Sequence, residues 1–325
     1  MFLLFFEAAA IPVFAMIAFA GSARRERIKA AYYFIMFTAY GSVSMLLTLL
    51  SVFSAQRMED YIGSMMAGAV TFWLLLFVAF AVKVPLFPTH IWLPYAHVEA
   101  STTASIVLAS LLLKLGGYGI LKFLLPAFNC DIHIFFQSGA LLICLIGLIY
   151  GGLCALRQAD IKRQIAFSSV AHMSFAVLGI FTYTEAGAKG SLYLMVSHGL
   201  TAAALFFMAG ALSDRHHTRS VFAYGGLIQV MPTLIAFFIY ISLANIGFPG
   251  TSGFVPELIL IVATISTTLY ILAPVMFGMF ISAAAALLLM LRIAFGHIKG
   301  YSRFQFADAT RIESFVLGVL GVCIL

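Results

Sequence analysis

The sequence has 325 residues, of which 63% are hydrophobic and only 9% are charged, and its formal net charge is +6. About a quarter of the residues of a soluble globular domain are charged, so this composition excludes a soluble enzyme, a nucleic-acid-binding domain and any large extramembrane domain. A helix crosses a bilayer with roughly 20 apolar residues, and the sequence therefore predicts an all-α integral membrane protein of many spans.

The N-terminal run MFLLFFEAAAIPVF is apolar from its first residues. It contains no basic segment and no small-residue cleavage site, and no Arg- and Ser-rich transit peptide precedes it. We therefore expect no cleaved targeting peptide and interpret this run as the first span.

Ten apolar segments follow one another, joined by short loops. We predict spans at about 1–20, 30–54, 63–97, 101–125, 133–156, 160–183, 187–212, 226–272, 274–297 and 310–325. Two of them are long and are interrupted by proline and glycine, in VPLFPTHIWLP and in ANIGFPGTSGFVPE. Proline and glycine at membrane depth free backbone groups, which only protein or a water-filled cavity can satisfy. We predict that 63–97 and 226–272 are discontinuous helices, of the kind that form ion sites in transporters.

The positions of lysine and arginine support this arrangement. If the loop after the first span faces inside and the loops alternate from there, the inside loops collect twelve basic residues: Arg24, Arg25, Arg27, Lys29, Arg157, Lys162, Arg163, Arg215, Arg219, Lys299, Arg303 and Arg311. The outside loops collect only three: Arg57, Lys122 and Lys189. This asymmetry follows the positive-inside rule. The alternation holds only if each discontinuous segment crosses the membrane once.

Aligning the two discontinuous segments reveals an internal repeat. The segment 133–297 runs helix, helix, helix, discontinuous helix, helix, whereas the segment 1–125 lacks the first of these helices. Matched helices point in opposite directions, which predicts an inverted-topology repeat with a site near mid-membrane. We therefore divide the chain into a first half-channel repeat (1–125), a second half-channel repeat (126–297), and a C-terminal loop with a partial last helix (298–325). The symmetry suggests that the missing helix is lost or is supplied by a separate chain.

Six ionisable residues inside the apolar segments are the candidate site: Glu7, Lys83, Lys114, His172, His198 and Glu257. Ionisable groups are costly within a bilayer, so each is a functional hypothesis by default. A carboxylate favours the protonated form of a buried lysine, and Glu7 approaching or leaving Lys83 would change the affinity of that lysine for a proton. Histidine titrates near neutral pH and relays protons through its two ring nitrogens. The other four residues fall on separate helices, which allows a lateral file of proton carriers across the bundle.

Structural explanations of the same residues stay open at this point. Glu7 and Lys83 could form a structural ion pair, and the two histidines could hydrogen-bond between helices. Glu257 could cap N–H groups freed by the second break.

Four further polar residues are interpreted as structural. We interpret His90 and His97, near the first break, as structural or interfacial residues. Lys122 and Arg292 lie toward span ends, where a long side chain extends to the membrane surface.

Cysteine spacing and short motifs predict no cofactor. The four cysteines form no C-x-x-C motif and no cluster with histidine, so we expect no disulfide framework, zinc site or iron–sulfur cluster. No glycine-rich phosphate loop, G-x-S-x-G or H-E-x-x-H motif occurs. We expect this chain to bind no metal.

Six segments carry a resemblance to a known family. They are KVPLFPTHIWLPYAHVEA (83–100), LLLKLGGYG (111–119), ADIKRQIAFSSVAHM (159–173), SHGLTAAALFF (197–207), RHHTRS (215–220) and ANIGFPGTSGFVPE (244–257). The chain resembles the antiporter-like proton-channel family of respiratory complex I, the NADH:ubiquinone oxidoreductase, over nearly its whole length. LKLGGYG and Glu257 are typical of the subunit 4 group, whereas the sister subunits usually carry lysine at that position. Relative to the family, about four N-terminal helices are absent and the chain stops inside the last span.

The resemblance implies a role for each candidate residue. Glu7 and Lys83 match the glutamate–lysine pair of the first channel, and Lys114 matches the lysine that connects to the central hydrophilic axis. His172 and His198 match the axis histidines. Glu257 matches the terminal acid of the second half-channel.

The implied function is proton translocation in the membrane arm, coupled to NADH oxidation by quinone in other subunits. Those subunits would bind NADH, FMN, the iron–sulfur clusters and ubiquinone, and this chain would carry no redox chemistry. The expected partners are neighbouring antiporter-like membrane-arm subunits, lipids and a separate chain that supplies the missing N-terminal helices, with no nucleic acid. The expected location is the mitochondrial inner membrane, with a bacterial plasma membrane as the alternative.

Rival functions stay open beside this one. The chain could belong to a cation/proton antiporter complex, although Glu257 argues against the related antiporter subunits. It could also be a non-pumping structural scaffold of the membrane arm, which the shortened ends favour. A hydrogenase-linked pump is a third alternative.

Overall fold

The computed structural model describes residues 1–22, 25–54, 66–128, 130–267, 269–298 and 307–325. Four basic residues from the predicted loops, Arg24, Arg57, Lys299 and Arg303, lie outside these described residues.

The described chain is almost entirely helical, and its helices follow the predicted spans. They are α1 (Phe2–Ala8), α2 (Ala10–Ala18), α3 (Glu26–Ser54), α4 (Met66–Lys83), α5 (Trp92–Glu99), α6 (Thr102–Ala127), α7 (Cys130–Arg157), α8 (Ile161–Ile180), α9 (Glu185–His216), α10 (Pro232–Ile246), α11 (Phe254–Thr267), α12 (Leu269–Ala294) and α13 (Arg311–Ile324). Within α3, α6, α7, α9 and α12 lie stretches long and apolar enough to cross a membrane by length and composition. The prediction of an all-α integral membrane protein is confirmed.

The central helix of the bundle is α8. Every residue from Ile161 to Ile180 is buried except Arg163, and α7 and α9 pack along it. A helix that is buried on all sides belongs to the interior of a bundle. Polar side chains on α8 therefore face other helices rather than lipid.

The first predicted break lies between α4, which ends at Lys83, and α5, which begins at Trp92. Proline in this segment removes backbone donors and ends the helix. Carbonyl groups at the end of α4 accept hydrogen bonds from nearby side chains. Trp92 Nε1 donates to the oxygen of Val82 at 2.9 Å, and Thr89 Oγ1 donates to that of Ala81 at 3.0 Å, which also accepts the N–H of Leu86. Protein groups thus satisfy the irregular backbone at this break.

The second predicted break begins where Gly247 ends α10 with a left-handed φ of 77°. Glycine adopts this conformation without steric cost. A side chain at this position would collide with the carboxylate of Glu257 in the first turn of α11. The glycine therefore both terminates α10 and leaves room for Glu257.

The helix α6 is less regular than predicted. It contains two π-helical turns, Leu108–Leu112 and Ile120–Leu124, one on each side of Lys114. Such turns are rare and occur mostly as single widened turns, frequently at functional sites.

Charged side chains hold the C-terminal segment 307–325 against α9 and α10. Arg215 of α9 donates to both carboxylate oxygens of Glu313 in α13, at 2.9 and 2.6 Å. The carboxylate of Asp308 accepts the N–H groups of Thr233 and Leu234 at the start of α10, at 3.1 and 3.0 Å. Burial opposes the charge of Asp308, but these backbone donors lower its pKa.

Candidate functional site

Lys114 of α6 contacts His198 of α9. Its Nζ lies 3.0 Å from His198 Nδ1 and 2.5 Å from the carbonyl oxygen of Ala109, a residue of the first π turn. The close approach of α9 depends on Gly199, because a Cβ there would lie 3.2 Å from the oxygen of Ser110 and 3.4 Å from Lys114 Cε. The lysine is thus held between a backbone acceptor of its own helix and an imidazole of the next.

The row of ionisable residues that begins with Lys114 and His198 continues to His172 and Glu257. The ring centroids of His198 and His172 are 5.6 Å apart. His172 Nδ1 lies 3.9 Å from Glu257 Oε1. Four candidate residues from α6, α9, α8 and α11 therefore form one file, and the charge of Lys114 acts on both histidines. The distances are long enough for water to complete the connections.

A cavity of about 260 Å³ lies at the Glu257 end of this file. His172, Asn245, Glu257 and Ser282 contribute polar groups to its lining, and methionine and phenylalanine side chains form much of the rest. His172 Nε2 and Ser282 Oγ are buried and have no hydrogen-bond partner in the protein. A cavity of this size with convergent polar atoms is suited to ordered water.

Glu7 and Lys83 lie apart from the file, at the first break. Lys83 is 2% exposed, and its Nζ lies 3.4 Å from the carbonyl oxygen of Phe6 and 4.4 Å from the centre of the Phe6 ring. Glu7 follows Phe6 in α1, and its Oε1 is buried without a hydrogen-bond partner. Between these two described residues no ion pair within 4 Å forms, although the charge of Glu7 acts on Lys83. No hydrogen bond within the described part of the chain joins Lys83 to Lys114.

Two residues that the sequence assigned to other roles are deeply buried. His97, interpreted as structural or interfacial, has a fully buried side chain that stacks on Phe206 of α9 with ring centroids 4.3 Å apart. Lys162 was assigned to an inside loop, but it lies in the first turn of α8 and is 3% exposed. Helical spacing places His97 on the same face as Leu93, which is buried, and that pattern could have indicated an interior histidine. The sequence offers no comparable signal for Lys162.

The two charged residues predicted near span ends, Lys122 and Arg292, are both exposed. Within the described residues, no group of three or more His, Cys, Asp or Glu side chains is arranged to hold a metal ion.

Comparison with known proteins gives concordant matches. The sequence profile described as "NADH:quinone oxidoreductase/Mrp antiporter, TM" matches residues 1–282. NADH-ubiquinone oxidoreductase chain 4 of Chondrus crispus is 44% identical over 334 residues, covering all of this chain and 67% of that protein. NADH-quinone oxidoreductase subunit M of Rhodobacter capsulatus is 38% identical over 338 residues, covering 98% of this chain and 65% of that protein.

A solved structure gives the same result. One chain of respiratory complex I from Thermus thermophilus with bound NADH superposes with a TM-score of 0.88 at 30% identity, covering 99% of this chain and 69% of that chain. The present chain thus spans about two thirds of the length of the relatives that it matches.

Proposed function

The chain belongs to the transmembrane family shared by NADH:quinone oxidoreductases and Mrp antiporters, and we propose that it translocates protons as an antiporter-like membrane-arm subunit of an NADH:quinone oxidoreductase. The resemblance predicted from the sequence is confirmed by relatives named chain 4 and subunit M of that enzyme.

The file Lys114–His198–His172–Glu257 is the observation that carries this proposal. An amine, two imidazoles and a carboxylate follow one another across four helices, with a 3.0 Å contact at one end and a 3.9 Å contact at the other. Each group can gain and release a proton, and imidazole does so through opposite ring atoms. Ionisable side chains at this depth are costly, and proton relays are among the functions for which they are retained.

Glu7 and Lys83 are proposed to load this file from the first half-channel. The proposed half-channels are residues 1–125 and 126–297, and each of them contains one break. The C-terminal loop and last helix (298–325) follow the second half-channel. In this scheme Lys83 exchanges protons with Lys114 through water, because no direct contact joins the two described side chains.

The proposed enzyme is the assembled complex rather than this chain. NADH oxidation, FMN, the iron–sulfur clusters and ubiquinone belong in this proposal to other subunits. The neighbours of this chain would be other antiporter-like subunits in the membrane plane, together with lipid. The proposed membrane is the mitochondrial inner membrane or a bacterial plasma membrane.

Replacing Lys114 in the assembled complex tests the proposal. With Lys114→Met in sealed vesicles, we expect NADH-driven proton pumping to fall at least about tenfold, since a positioned proton-transfer group typically contributes about 10²–10⁴-fold. Lys122→Met is the matched control, because Lys122 lies on the same helix but is exposed. Wild-type pumping in an assembled Lys114→Met complex would contradict the proposal. Transport that requires sodium would instead favour the cation/proton antiporter.

A further inference from the structure

A buried histidine joins three helices at the end of the bundle that the charge distribution predicts to face outside. His133 lies in the first turn of α7. Its Nε2 lies 2.9 Å from the carbonyl oxygen of Leu125, in the last turn of α6. Its Nδ1 accepts the indole N–H of Trp73, in α4, at 3.4 Å. The helices joined to α7 at this point are therefore the two that carry Lys83 and Lys114.

The two partners of His133 select one protonation state of its ring. An indole nitrogen only donates a hydrogen bond, and a carbonyl oxygen only accepts one. The contact with Trp73 therefore requires an unprotonated Nδ1, and the contact with Leu125 requires a proton on Nε2. An imidazolium would turn a second N–H toward the indole N–H. Protonation thus breaks the bond to Trp73 and leaves the bond to Leu125 intact.

Neighbouring rings hold the indole of Trp73 in this orientation. It stacks on Phe136 of α7, with ring centroids 4.1 Å and planes 6° apart, and on Phe77 of its own helix, with centroids 5.0 Å apart. Trp73 is only 1% exposed, so bulk water does not reach it to replace the imidazole. Loss of the acceptor would leave a buried donor unpaired, which weakens the attachment of α4 to α7.

The imidazole is the group in this cluster that titrates near neutral pH. Tyr183, which follows α8, contacts the ring with centroids 5.3 Å apart and donates its hydroxyl to the carbonyl oxygen of His133 at 3.3 Å. A tyrosine phenol is neutral near pH 7, whereas imidazole changes charge between about pH 5 and 8. Asp131 of α7 and Lys122 of α6 are exposed, and His133 forms no ion pair within 4 Å with any described carboxylate.

We propose that His133 senses protons on the outside face and that its protonation slows pumping. When the outside is acidic, the imidazolium loses Trp73 and the outer end of α4 is released from α7. Because α4 ends at Lys83, a change in its position moves this lysine relative to Phe6, which it contacts. Pumping is thereby limited when released protons accumulate. The proposal rests on the proposed function, because only a pumping chain acidifies that face.

Two variants of the assembled complex separate titration from packing. In His133→Gln, the amide nitrogen can still donate to Leu125, but the side chain does not titrate. In Trp73→Phe, the ring can still stack on Phe136, but protonation of His133 no longer breaks a hydrogen bond. Inverted vesicles, in which the outside face lines the lumen, allow the lumenal pH to be set while the medium stays constant. The measurement is the initial rate of NADH-driven proton uptake from the medium.

We expect wild-type uptake to fall at least about threefold as the lumenal pH falls from about 8 to about 5.5, because imidazole changes from mostly neutral to mostly protonated across this range. Both variants should match the wild type at lumenal pH 8 and lose most of this decrease. The matched control is His90→Gln, which should keep the full decrease. His90 is also a buried histidine, but it packs against Phe87 and Tyr150.

The thermal midpoint of the purified complex gives a second readout that does not require pumping. Lowering the pH from about 8 to about 5.5 should lower the midpoint more in the wild type than in either variant, because only the wild type loses a hydrogen bond. An equal pH response of wild type and His133→Gln, in uptake or in midpoint, would overturn the proposal, and Trp73→Phe decides the same question if His133→Gln does not assemble. Normal pumping in Lys114→Met would refute the proposed function, whereas the difference in midpoints would still establish the pH-sensitive contact.

Discussion

Lys114 illustrates how a single charged residue is accommodated inside an apolar helix. The widened turn before it presents the oxygen of Ala109, and the neighbouring helix presents a ring nitrogen of His198. Either protonation state of the lysine can therefore find a partner: the ammonium donates to both acceptors, and the neutral amine accepts from a protonated imidazole. A group with partners in both states can pass a proton on.

Lys83 is held differently, by the carbonyl and ring of Phe6 rather than by the carboxylate of Glu7. If Glu7 moves toward Lys83 during turnover, removing either charge should stop loading. We expect Glu7→Gln and Lys83→Gln each to lower NADH-driven pumping at least about tenfold while the complex still assembles, measured in sealed vesicles. Glu185→Gln is the control for the carboxylate, because Glu185 is exposed. Normal pumping in both variants would assign the pair to structure alone.

At the scale of elements, the approach of α9 to α6 determines the Lys114–His198 contact. Gly199 faces Ser110 and the stem of Lys114, so a β-branched residue there must push the two helices apart. Overpacking of this kind typically costs about 1–3 kcal/mol. We expect Gly199→Val to lower pumping and the thermal stability of the complex. Gly139→Val on α7 is the control, because nothing lies within 4 Å of a Cβ at that position. Equal effects of the two substitutions would refute the packing argument.

The turn between α10 and α11 positions Glu257 beside His172. Gly247 and Gly250 both have positive φ, 77° and 91°, but only a side chain at 247 would meet the carboxylate of Glu257. Alanine in a left-handed conformation costs roughly 1–2 kcal/mol at either position. We therefore expect similar losses of thermal stability for Gly247→Ala and Gly250→Ala, but a loss of proton pumping for Gly247→Ala alone. Normal pumping in Gly247→Ala would show that the position of Glu257 does not matter.

At the scale of the whole molecule, Arg215 ties α9 to the C-terminal segment. Its guanidinium binds Glu313 through both carboxylate oxygens and also donates to the carbonyl oxygens of Ala307 and Asp308. Hydrogen bonds to charged groups stabilise a fold by about 1.5–3 kcal/mol, and the partial exposure of Arg215 and Glu313 places their contribution toward the lower end of that range. We expect Arg215→Met to reduce stability by about 1–2 kcal/mol, seen as a lower thermal midpoint and as faster proteolytic release of residues 307–325.

The control for this prediction is Lys189→Met. Lys189 forms an ion pair with Glu185, but both side chains are mostly exposed, at 61% and 82%. Exposed pairs contribute little to stability, so the thermal midpoint should not change. An equal decrease in both variants would mean that Arg215 acts only as a surface charge.

The order of the helices was determined by the sequence itself. The length of an apolar run, the basic residues of a loop, and the proline and glycine of the two breaks can each be read from the local sequence. A bilayer allows few arrangements that satisfy the backbone hydrogen bonds of such segments. The predicted segments accordingly coincide with the observed helices, including the separations at 84–91 and 247–253. The π turns of α6 escaped prediction, because their residues are ordinary helix formers and only packing against neighbouring helices decides their hydrogen bonding.

The identity of the candidate residues was also readable from the sequence, because ionisable groups in apolar runs are conspicuous. Their connections were decided only by tertiary structure. Lys114, His198, His172 and Glu257 come from four helices whose rotations are set by packing, and the same packing keeps Glu7 from a direct ion pair with Lys83. Burial of Lys162 depended on where α5 ends against α8, which no local pattern of residues encodes.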